Sequence, residues 1–227
     1  MSEKKKEVRR IFESIAPRYD LLNHLLSAGV DYYWRKKALR LTALNKDSIL
    51  LDIACGTGDF AIEAKKMGVE KIYGGDFSYN MLSLFNRKSD WIKGMNFQMA
   101  AENPPVKDET VTNITVAFGV RNFYDIEIAL QKFYNLLRKG GKVTILEFSL
   151  PENPLFKAIY QFYFRRILPF VGRIVSKDPS AYTYLPDSVN EFDKKVNLVT
   201  ILKNAGFASV KRTLLTFGIV QVVVAEK

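Results

Sequence analysis

Thiol and imidazole are nearly missing from this sequence: its 227 residues include one cysteine and one histidine. A lone Cys55 excludes an internal disulfide framework and any cysteine-built zinc site, and no metal site is expected. Cys55 sits among glycines without an obvious activating partner, so a reducing cytosol fits. Acids are also scarce beside bases, 24 against 34, which leaves a formal net charge of +10 and a pI near 9.5. Such an excess favours an anionic partner, whether nucleic acid, an acidic substrate or an anionic membrane surface, and charge alone does not choose among them. Uninterrupted apolar runs of membrane-spanning length are lacking too. The nearest candidate, Leu155 to Val175, is broken by Lys157, Arg165, Arg166 and Arg173 and would be kinked by Pro169. It is expected to lie at an interface or to wall a greasy tunnel. The charged start MSEKKKEVRR lacks the apolar stretch of a secretory signal, so a cytoplasmic protein is expected. No internal repeat or low-complexity segment is evident.

What the chain does have, 48% hydrophobic and 13% aromatic residues, suffices for one sizeable core. Residues 3–15 and 31–43 carry apolar residues at helical spacing, with Val8, Ile11, Phe12 and Ile15 on one stripe of the first. From Ile49 the rhythm changes. ILLDIA runs into a glycine cluster, AIEAKKM reads as a helix, and KIYGGD is a short apolar run ending in an acid. The alternation continues through MLSLFNRK (helix), NFQMA and TNITVAFG (strands), IEIALQKFYNLLRK (a helix ended by Gly140 and Gly141) and KVTILEFS (strand). Strands alternating with helices imply a parallel sheet covered on both faces. Aromatic, basic and proline-rich sequence over 153–191 breaks the rhythm before a last helix near 192–205, and two strand-like runs around Thr216, Phe217 and Gly218 suggest a closing hairpin. A single domain is expected, with an N-terminal helical region (1–45), a β/α core (46–150), a cap insertion (151–191) and a last helix with the hairpin (192–227). The fold class is α/β and Rossmann-like, with a seven-stranded, mostly parallel sheet and an antiparallel C-terminal hairpin strand.

In such a sheet, ligands bind outside the carboxyl ends of the strands where strand order reverses. The string LDIACGTGD (Leu51 to Asp59) and the later GGDFS (Gly74 to Ser78) should converge there. Gly56 and Gly58, with Thr57 between them, allow a tight turn and a close approach of ligand to backbone. G-T-G-D-F-A also satisfies the dinucleotide pattern, with Asp76 at the spacing of a ribose-binding acid, so a nicotinamide enzyme is the competing reading. Asp52 separates the two, since a carboxylate there opposes a pyrophosphate but suits the ammonium and sulfonium of S-adenosylmethionine. On this reading Asp76 accepts from both ribose hydroxyls, Phe77 lies beside the adenine, Ala100 and Ala101 line the base, and Ala117 completes the site. The alternative for Asp76 is a helix cap, a task that Ser78 can also perform.

Six blocks in order extend the pattern: IAPRYDLLNHLLSAGVDYYWR (Ile15 to Arg35), LDIACGTGDFA, GGDFS, AFGVRNFYD (Ala117 to Asp125), LEFSLP (Leu146 to Pro151) and AYTYLPDSV (Ala181 to Val189). Over nearly its whole length the chain resembles the ubiquinone/menaquinone biosynthesis C-methyltransferase family. The resemblance implies methylation of a ring carbon on a polyprenylated quinol, either demethylmenaquinol or its benzoquinol counterpart. Two departures stand out. Ala100 occupies a place where the family usually has Asp or Asn, which removes a side-chain contact to adenine, and the usual K-P-G-G turn is Lys139-Gly140-Gly141 without proline.

Methyl transfer to carbon needs an electron-rich ring, which a quinol supplies once its phenol loses a proton, so positioning and charge dominate. Arg121 and Asn122 follow the fourth strand, and the guanidinium there would stabilise the phenolate or hold an activating water; the alternative is a structural pair with Asp125 or Glu147. Tyr19, Asp20, Asn23 and His24 lie in a helix that could fold over the cofactor, with Asp20 or His24 as base, although His24 suits a structural role equally. Tyr19 is expected near the cofactor and Trp34 in packing. Glu147, Ser149, Tyr182 and Tyr184 are second-rank candidates for holding the quinol oxygens. The basic aromatic cap matches a surface seeking anionic lipid at the inner face of the membrane. RNA is the strongest different acceptor class, yet the sequence has no catalytic-cysteine motif, no amino-methylation tetrapeptide of the Asp/Asn/Ser-Pro-Pro-aromatic type and no appended RNA-binding module, so no nucleic acid is expected. A non-enzymatic binding protein that kept the fold is a third reading, supported only by Ala100. The oligomeric state is not legible.

Overall fold

The computed structural model describes residues 10–167 and 180–227. Its seven strands are β1 (Ile49–Ile53), β2 (Lys71–Asp76), β3 (Asn96–Gln98), β4 (Val111–Ala117), β5 (Leu137–Phe148), β6 (Ser209–Leu215) and β7 (Val220–Glu226), in the sheet order β3-β2-β1-β4-β5-β7-β6. β7 runs antiparallel to both β5 and β6, and the other pairings are parallel, as the hairpin signal around Thr216 predicts. Alternate residues feed two cores. Leu51, Ile53, Ile114, Val143 and Ile145 face one side, while Leu50, Ile72, Leu146 and Val222 face the other. Burial on both faces is why these strands read as nearly continuous apolar runs.

The helices are α1 (Tyr19–Leu26), α2 (Val30–Thr42), α3 (Asp59–Lys66), α4 (Tyr79–Lys88), α5 (Ile126–Leu136), α6 (Pro154–Phe162), α7 (Ser180–Lys195) and α8 (Leu198–Asn204). Residues 10–15 are also helical. Three N-caps follow sequence signals: Ser78 accepts from Met81 N–H, Asp125 from Ile128 N–H and Asn153 from Leu155 N–H. Trp34, Ala38 and Leu39 of α2 pack with Phe60, Ala61 and Phe85, while Phe133 and Leu202 fill the opposite face.

Two boundaries differ from the sequence reading. The helix expected to run to Gly140 ends at Leu136, because Leu137 pairs with Val111 and the carbonyls of Asn135 and Leu136 accept from the N–H groups of Glu109 and Thr110. Gly140, with φ +75°, then turns the chain back and donates to Lys227 O. The last helix begins at Leu198 rather than near 192. Residues 192–195 finish the cap helix α7, and Asn197 starts a new helix by accepting from Thr200 N–H.

The loop after β1 turns sharply. Ala54, Gly56 and Gly58 all have positive φ (+53°, +54° and +89°), and a Cβ added at Gly58 would lie 2.2 Å from the Phe85 ring. Left-handed backbone and overpacking both oppose a side chain there. Gly58→Ala is expected to lower stability by about 2–4 kcal/mol, as read from chemical denaturation, whereas Gly68→Ala, whose Cβ would meet open space, should cost only the backbone part.

Candidate active site

β1 lies between β2 and β4, so the chain leaves β1 and β4 to opposite sides and opens a crevice at their carboxyl ends. Register brings the ends level: Asp52 pairs with both Gly74 and Thr115, and Ile53 with Gly75. Both exits are left-handed at non-glycine residues, Ala54 (φ +53°) and Phe118 (φ +57°). Backbone strain of this kind gathers at functional sites. A Cβ at Gly119 would come 2.6 Å from Ala54 Cβ, so the two exits meet with no room to spare.

The first cavity fills this crevice and is lined by Gly56, Asp76, Phe77, Ala100, Ala101 and Ala117 among the expected cofactor residues. Asp76 ends β2 and accepts from Gly56 N–H and Ser78 N–H, both at 2.8 Å. The glycine loop is therefore tied to the acid. Ser78, not Asp76, caps α4, which leaves the Asp76 carboxylate at the cavity wall. Burial pushes its pKa up to about 6.

Asp52, Thr57 and Gly58 of the expected cofactor residues lie beside the cavities without lining them. Asp52 is buried beneath the loop, where Oδ1 accepts from Thr115 at 2.7 Å and burial pushes the pKa up to about 7. Thr57 is buried, and its hydroxyl donates to Asp20. Gly58 is spent on Phe85. Ala100 lines the wall without a polar group, so the departure at this position remains. Sequence reasoning missed Phe12, Met81, Met99, Phe118 and Gly119 in this cavity. For Phe12 the signal present was its helical stripe with Val8, Ile11 and Ile15, read only as part of an N-terminal helical region.

A second cavity of about 250 Å³ adjoins the first and shares Phe12, Tyr19 and Phe118 with it. Its walls are mostly apolar, with Ile15, Trp34, Phe148, Tyr160, Phe164 and Ile219 among them, and Arg121 and Tyr184 also line it. Arg121 is buried and pairs with Glu147 at 2.7 Å, while also donating to Phe118 O at 2.6 Å. Both readings of this arginine therefore hold geometrically: it forms a buried ion pair with Glu147, and it reaches the wall. Its Nε has no partner among the described residues. Asn122 lines the first cavity and accepts from the Tyr184 hydroxyl at 2.6 Å, which links the cap to the crevice. Ser149 is buried, donating to Gly218 O, and the Tyr182 side chain lies outside the described residues. Trp34 packs against Phe118 and Phe148 as expected, and its indole N–H donates to Thr216 at 2.7 Å.

α1 sorts the remaining candidates by helical phase. Tyr19 and Asn23, four residues apart, face the second cavity, while Asp20 and His24 point the other way. Asp20 accepts from Lys88 (2.8 Å), and Lys88 also donates to Asp59 (2.5 Å). His24 bonds Asp31 at 2.8 Å, lies 3.7 Å from Asp59 and stacks on Tyr32. Neither Asp20 nor His24 lines a cavity; Asp20 pairs with Lys88 and His24 is hydrogen-bonded to Asp31, contacts that hold α1 over the glycine loop.

The glycine cradle, the ribose-facing acid and the apolar slot fit S-adenosylmethionine, and fold and site together define an S-adenosylmethionine-dependent methyltransferase. Solved structures agree on the fold: such a methyltransferase from Methanococcus maripaludis superposes with a TM-score of 0.64 at 18% identity, covering 95% of this chain and 94% of that one. One from Thermotoga maritima, described as a possible histamine N-methyltransferase, gives 0.63 at 19% identity over 96% and 99%. The chain belongs to the ubiE/COQ5 methyltransferase family, which matches residues 1–227. It is 41% identical to the ubiquinone/menaquinone biosynthesis C-methyltransferase UbiE of Geotalea daltonii, over 100% of this chain and 99% of the relative. It is 40% identical to the demethylmenaquinone methyltransferase of Thermus thermophilus, over 96% and 100%.

Because burial raises the Asp52 pKa in the folded state to about 7, ionising it opposes folding. The penalty is absent below the unfolded-state pKa near 4, grows with pH and is full above about 7. Asp52→Asn removes it. The melting temperature of this variant minus that of the parent is expected to be more positive at pH 8 than at pH 5, in differential scanning fluorimetry of the ligand-free protein.

Proposed function

We propose that this methyltransferase acts on a ring carbon of a polyprenylated quinol, with demethylmenaquinol as the acceptor and menaquinol as the product. The observation that carries this reading is the second cavity, which is apolar enough for a prenylated ring, joined to the donor cavity at Phe12, Tyr19 and Phe118, and furnished with a buried arginine. The names of the Geotalea and Thermus relatives support the same acceptor class.

Bound in the first cavity, S-adenosylmethionine supplies a methyl group on a positively charged sulfur. Asp76 and the Gly56 backbone would hold the ribose end, and Phe77, Ala100 and Ala101 would hold the base. Tyr19 and Phe118, common to both cavities, line the passage and exclude water from it. Burial raises the Tyr19 pKa, which keeps that hydroxyl protonated as a donor at the junction. Arg121, directly or through a water it holds, supplies the positive charge that favours loss of the phenol proton to solvent; the phenolate so formed enriches the neighbouring ring carbon, which takes the methyl group and releases its own hydrogen as a proton to water. Glu147 keeps the guanidinium in place from behind, and Asn122 with Tyr184 closes the wall.

The acceptor reading carries a membrane reading with it, because a polyprenyl chain resides in a bilayer. No helix of the described residues is long and apolar enough to cross a membrane. The chain instead makes peripheral contact with an anionic bilayer at the inner, cytoplasmic face. Leu155, Ile159 and Phe162 recur along one exposed side of α6, exposed Phe217 stacks on Phe156 at 4.3 Å, and Lys157 and Arg166 are exposed as well. The opposite side of α6 walls the acceptor cavity through Tyr160. Each basic residue near such a surface contributes about 1 kcal/mol. Residues 168–175 of the basic segment noted in the sequence lie outside the described residues.

Offered labelled S-adenosylmethionine with demethylmenaquinol, a demethylated benzoquinol and bulk RNA in parallel, the protein is expected to label the naphthoquinol on carbon; label in RNA alone overturns the reading. Arg121→Lys, which leaves a cation for Glu147, is expected to lower kcat about 100-fold with donor binding retained, and unchanged turnover removes Arg121 from the mechanism. In vesicle sedimentation, the parent should pellet with phosphatidylglycerol-rich vesicles and the Leu155→Ser/Phe162→Ser double variant should remain in solution. Equal pelleting of the two refutes the contact face.

A further inference from the structure

A purine base enclosed by protein presents a polar edge as well as two apolar faces, and an amino group taken out of water without an acceptor is costly. In the first cavity the wall given to the base supplies no such acceptor from its side chains: Phe77, Met81, Met99, Ala100 and Ala101 bring neither oxygen nor nitrogen. Among the described residues, the polar side chains lining this cavity are Tyr19, Asp76, Glu102, Asn122 and Tyr124. Three of them already have tasks. Asp76 faces the ribose, Tyr19 stands where the two cavities join, and Asn122 accepts from the Tyr184 hydroxyl. Of the remaining two, Glu102 is the carboxylate.

The backbone brings Glu102 to the base wall. Met99 N–H donates to Asp76 O at 2.9 Å and Gln98 Nε2 donates to Phe77 O at 2.8 Å, so the segment after β3 runs beside the end of β2. Asn103 N–H then donates to Ala100 O at 3.2 Å, which closes a turn with Ala101 and Glu102 inside it. Ala100, Ala101 and Glu102 therefore follow one another along the cavity, and Glu102 ends the row against Tyr124.

The carboxylate is used on one side only. Its Oε1 accepts from Tyr124 N–H at 2.6 Å and from Asp125 N–H at 3.1 Å, a tie between two segments that both border the cavity. Oε2 accepts from no described residue, and it is not a buried orphan: the side chain is half-buried and this oxygen keeps open surface. A neutral amide would hold the same two N–H groups through its single oxygen. The second oxygen and the negative charge of Glu102 are thus left over from the structural task.

We infer that Oε2 of Glu102 accepts a hydrogen bond from the exocyclic 6-amino group of the S-adenosylmethionine base, which makes Glu102 the residue that selects adenine over purines without that amino group. The inference concerns the methyl donor and stands apart from the quinol reading. Glu102 takes no part in the transfer; it fixes the base, and through the base the reach of the donor into the crevice.

The test is calorimetric titration of the ligand-free protein with S-adenosylhomocysteine and with the same thioether carrying hydrogen in place of the 6-amino group. Neither ligand bears the sulfonium charge, so the comparison isolates the edge of the base. The parent is expected to bind S-adenosylhomocysteine about tenfold more tightly than the hydrogen analogue. Glu102→Gln keeps an oxygen for the Tyr124 and Asp125 N–H groups and places an NH2 donor where Oε2 stands. It should bind S-adenosylhomocysteine about tenfold more weakly than the parent does, bind the hydrogen analogue as the parent does, and keep the parent melting temperature. Equal binding of the two ligands by the parent overturns the inference without any variant. So does a Glu102→Gln protein that weakens both ligands alike or neither, which leaves Glu102 only as the tie between two loops.

Discussion

The crevice between the exits of β1 and β4 is the constraint from which the rest of the molecule follows. Parallel strands whose connections depart to opposite sides leave a gap that no helix covers, and here the gap is held open by backbone: Ala54 and Phe118 turn left-handed, and Gly119 lets the exits meet. Asp76 then closes the geometry from β2 by accepting from the glycine loop, so the acid and the loop form one rigid rim instead of two independent elements. Burying this carboxylate and Asp52 near each other costs stability in the ligand-free protein. A cationic donor bound above them returns part of that cost, which fits a site shaped for a sulfonium rather than a pyrophosphate.

Over this rim the N-terminal segment works as a strap. Phe12 and Tyr19 lean into the cavities, and the opposite side of α1 is fastened by Asp20, Lys88, Asp59, His24, Asp31 and Arg35. Burial opposes the charge of Lys88, but the carboxylates of Asp59 and Asp20 outweigh it and raise its pKa. The network draws on three helices, α1, α2 and α4, and on Asp59 at the start of α3, so it locks the strap to the glycine loop. The acidic and basic residues nearest the motif therefore bind the fold together, while the proposed chemistry draws on Tyr19, Arg121 and the shape of the cavity.

The cap completes the second cavity with a helix that is apolar on both sides. One side of α6 packs inward through Tyr160, while Leu155, Ile159 and Phe162 stay exposed. A helix serving only to cover the sheet would be polar on its outer side. This two-sided character is what the proposed contact with a bilayer requires of a wall whose inner side lines an apolar cavity.

Much of the core was legible because its signals are local. Period-two and period-3.6 patterns placed all seven strands and the helices between them, and the positive-φ demand at Gly56 and Gly58 showed in the glycines themselves. Boundaries were less legible where a neighbour decides: α5 stops at Leu136 because strand pairing claims Leu137, which Gly140 and Gly141 could not disclose. Site residues divided in the same way. Asp76, Phe77, Ala100, Ala101 and Ala117 follow from strand ends and line the first cavity, whereas Asp52, Thr57, Asp20 and His24, named for their nearness in sequence to the glycine loop and to Tyr19, line neither cavity. Helical phase could have separated Tyr19 from Asp20, since neighbours on a helix are rotated by about 100°. The amino-acid sequence by itself determined the sheet, the glycine loop and the methyl donor, because those rest on backbone conformation and on residues within one β-α-β unit. Only the tertiary structure decided which titratable groups line the second cavity, because that cavity is assembled from the N-terminal helices, the ends of β4 and β5, the cap and the hairpin turn, and no local pattern records how those distant segments face one another.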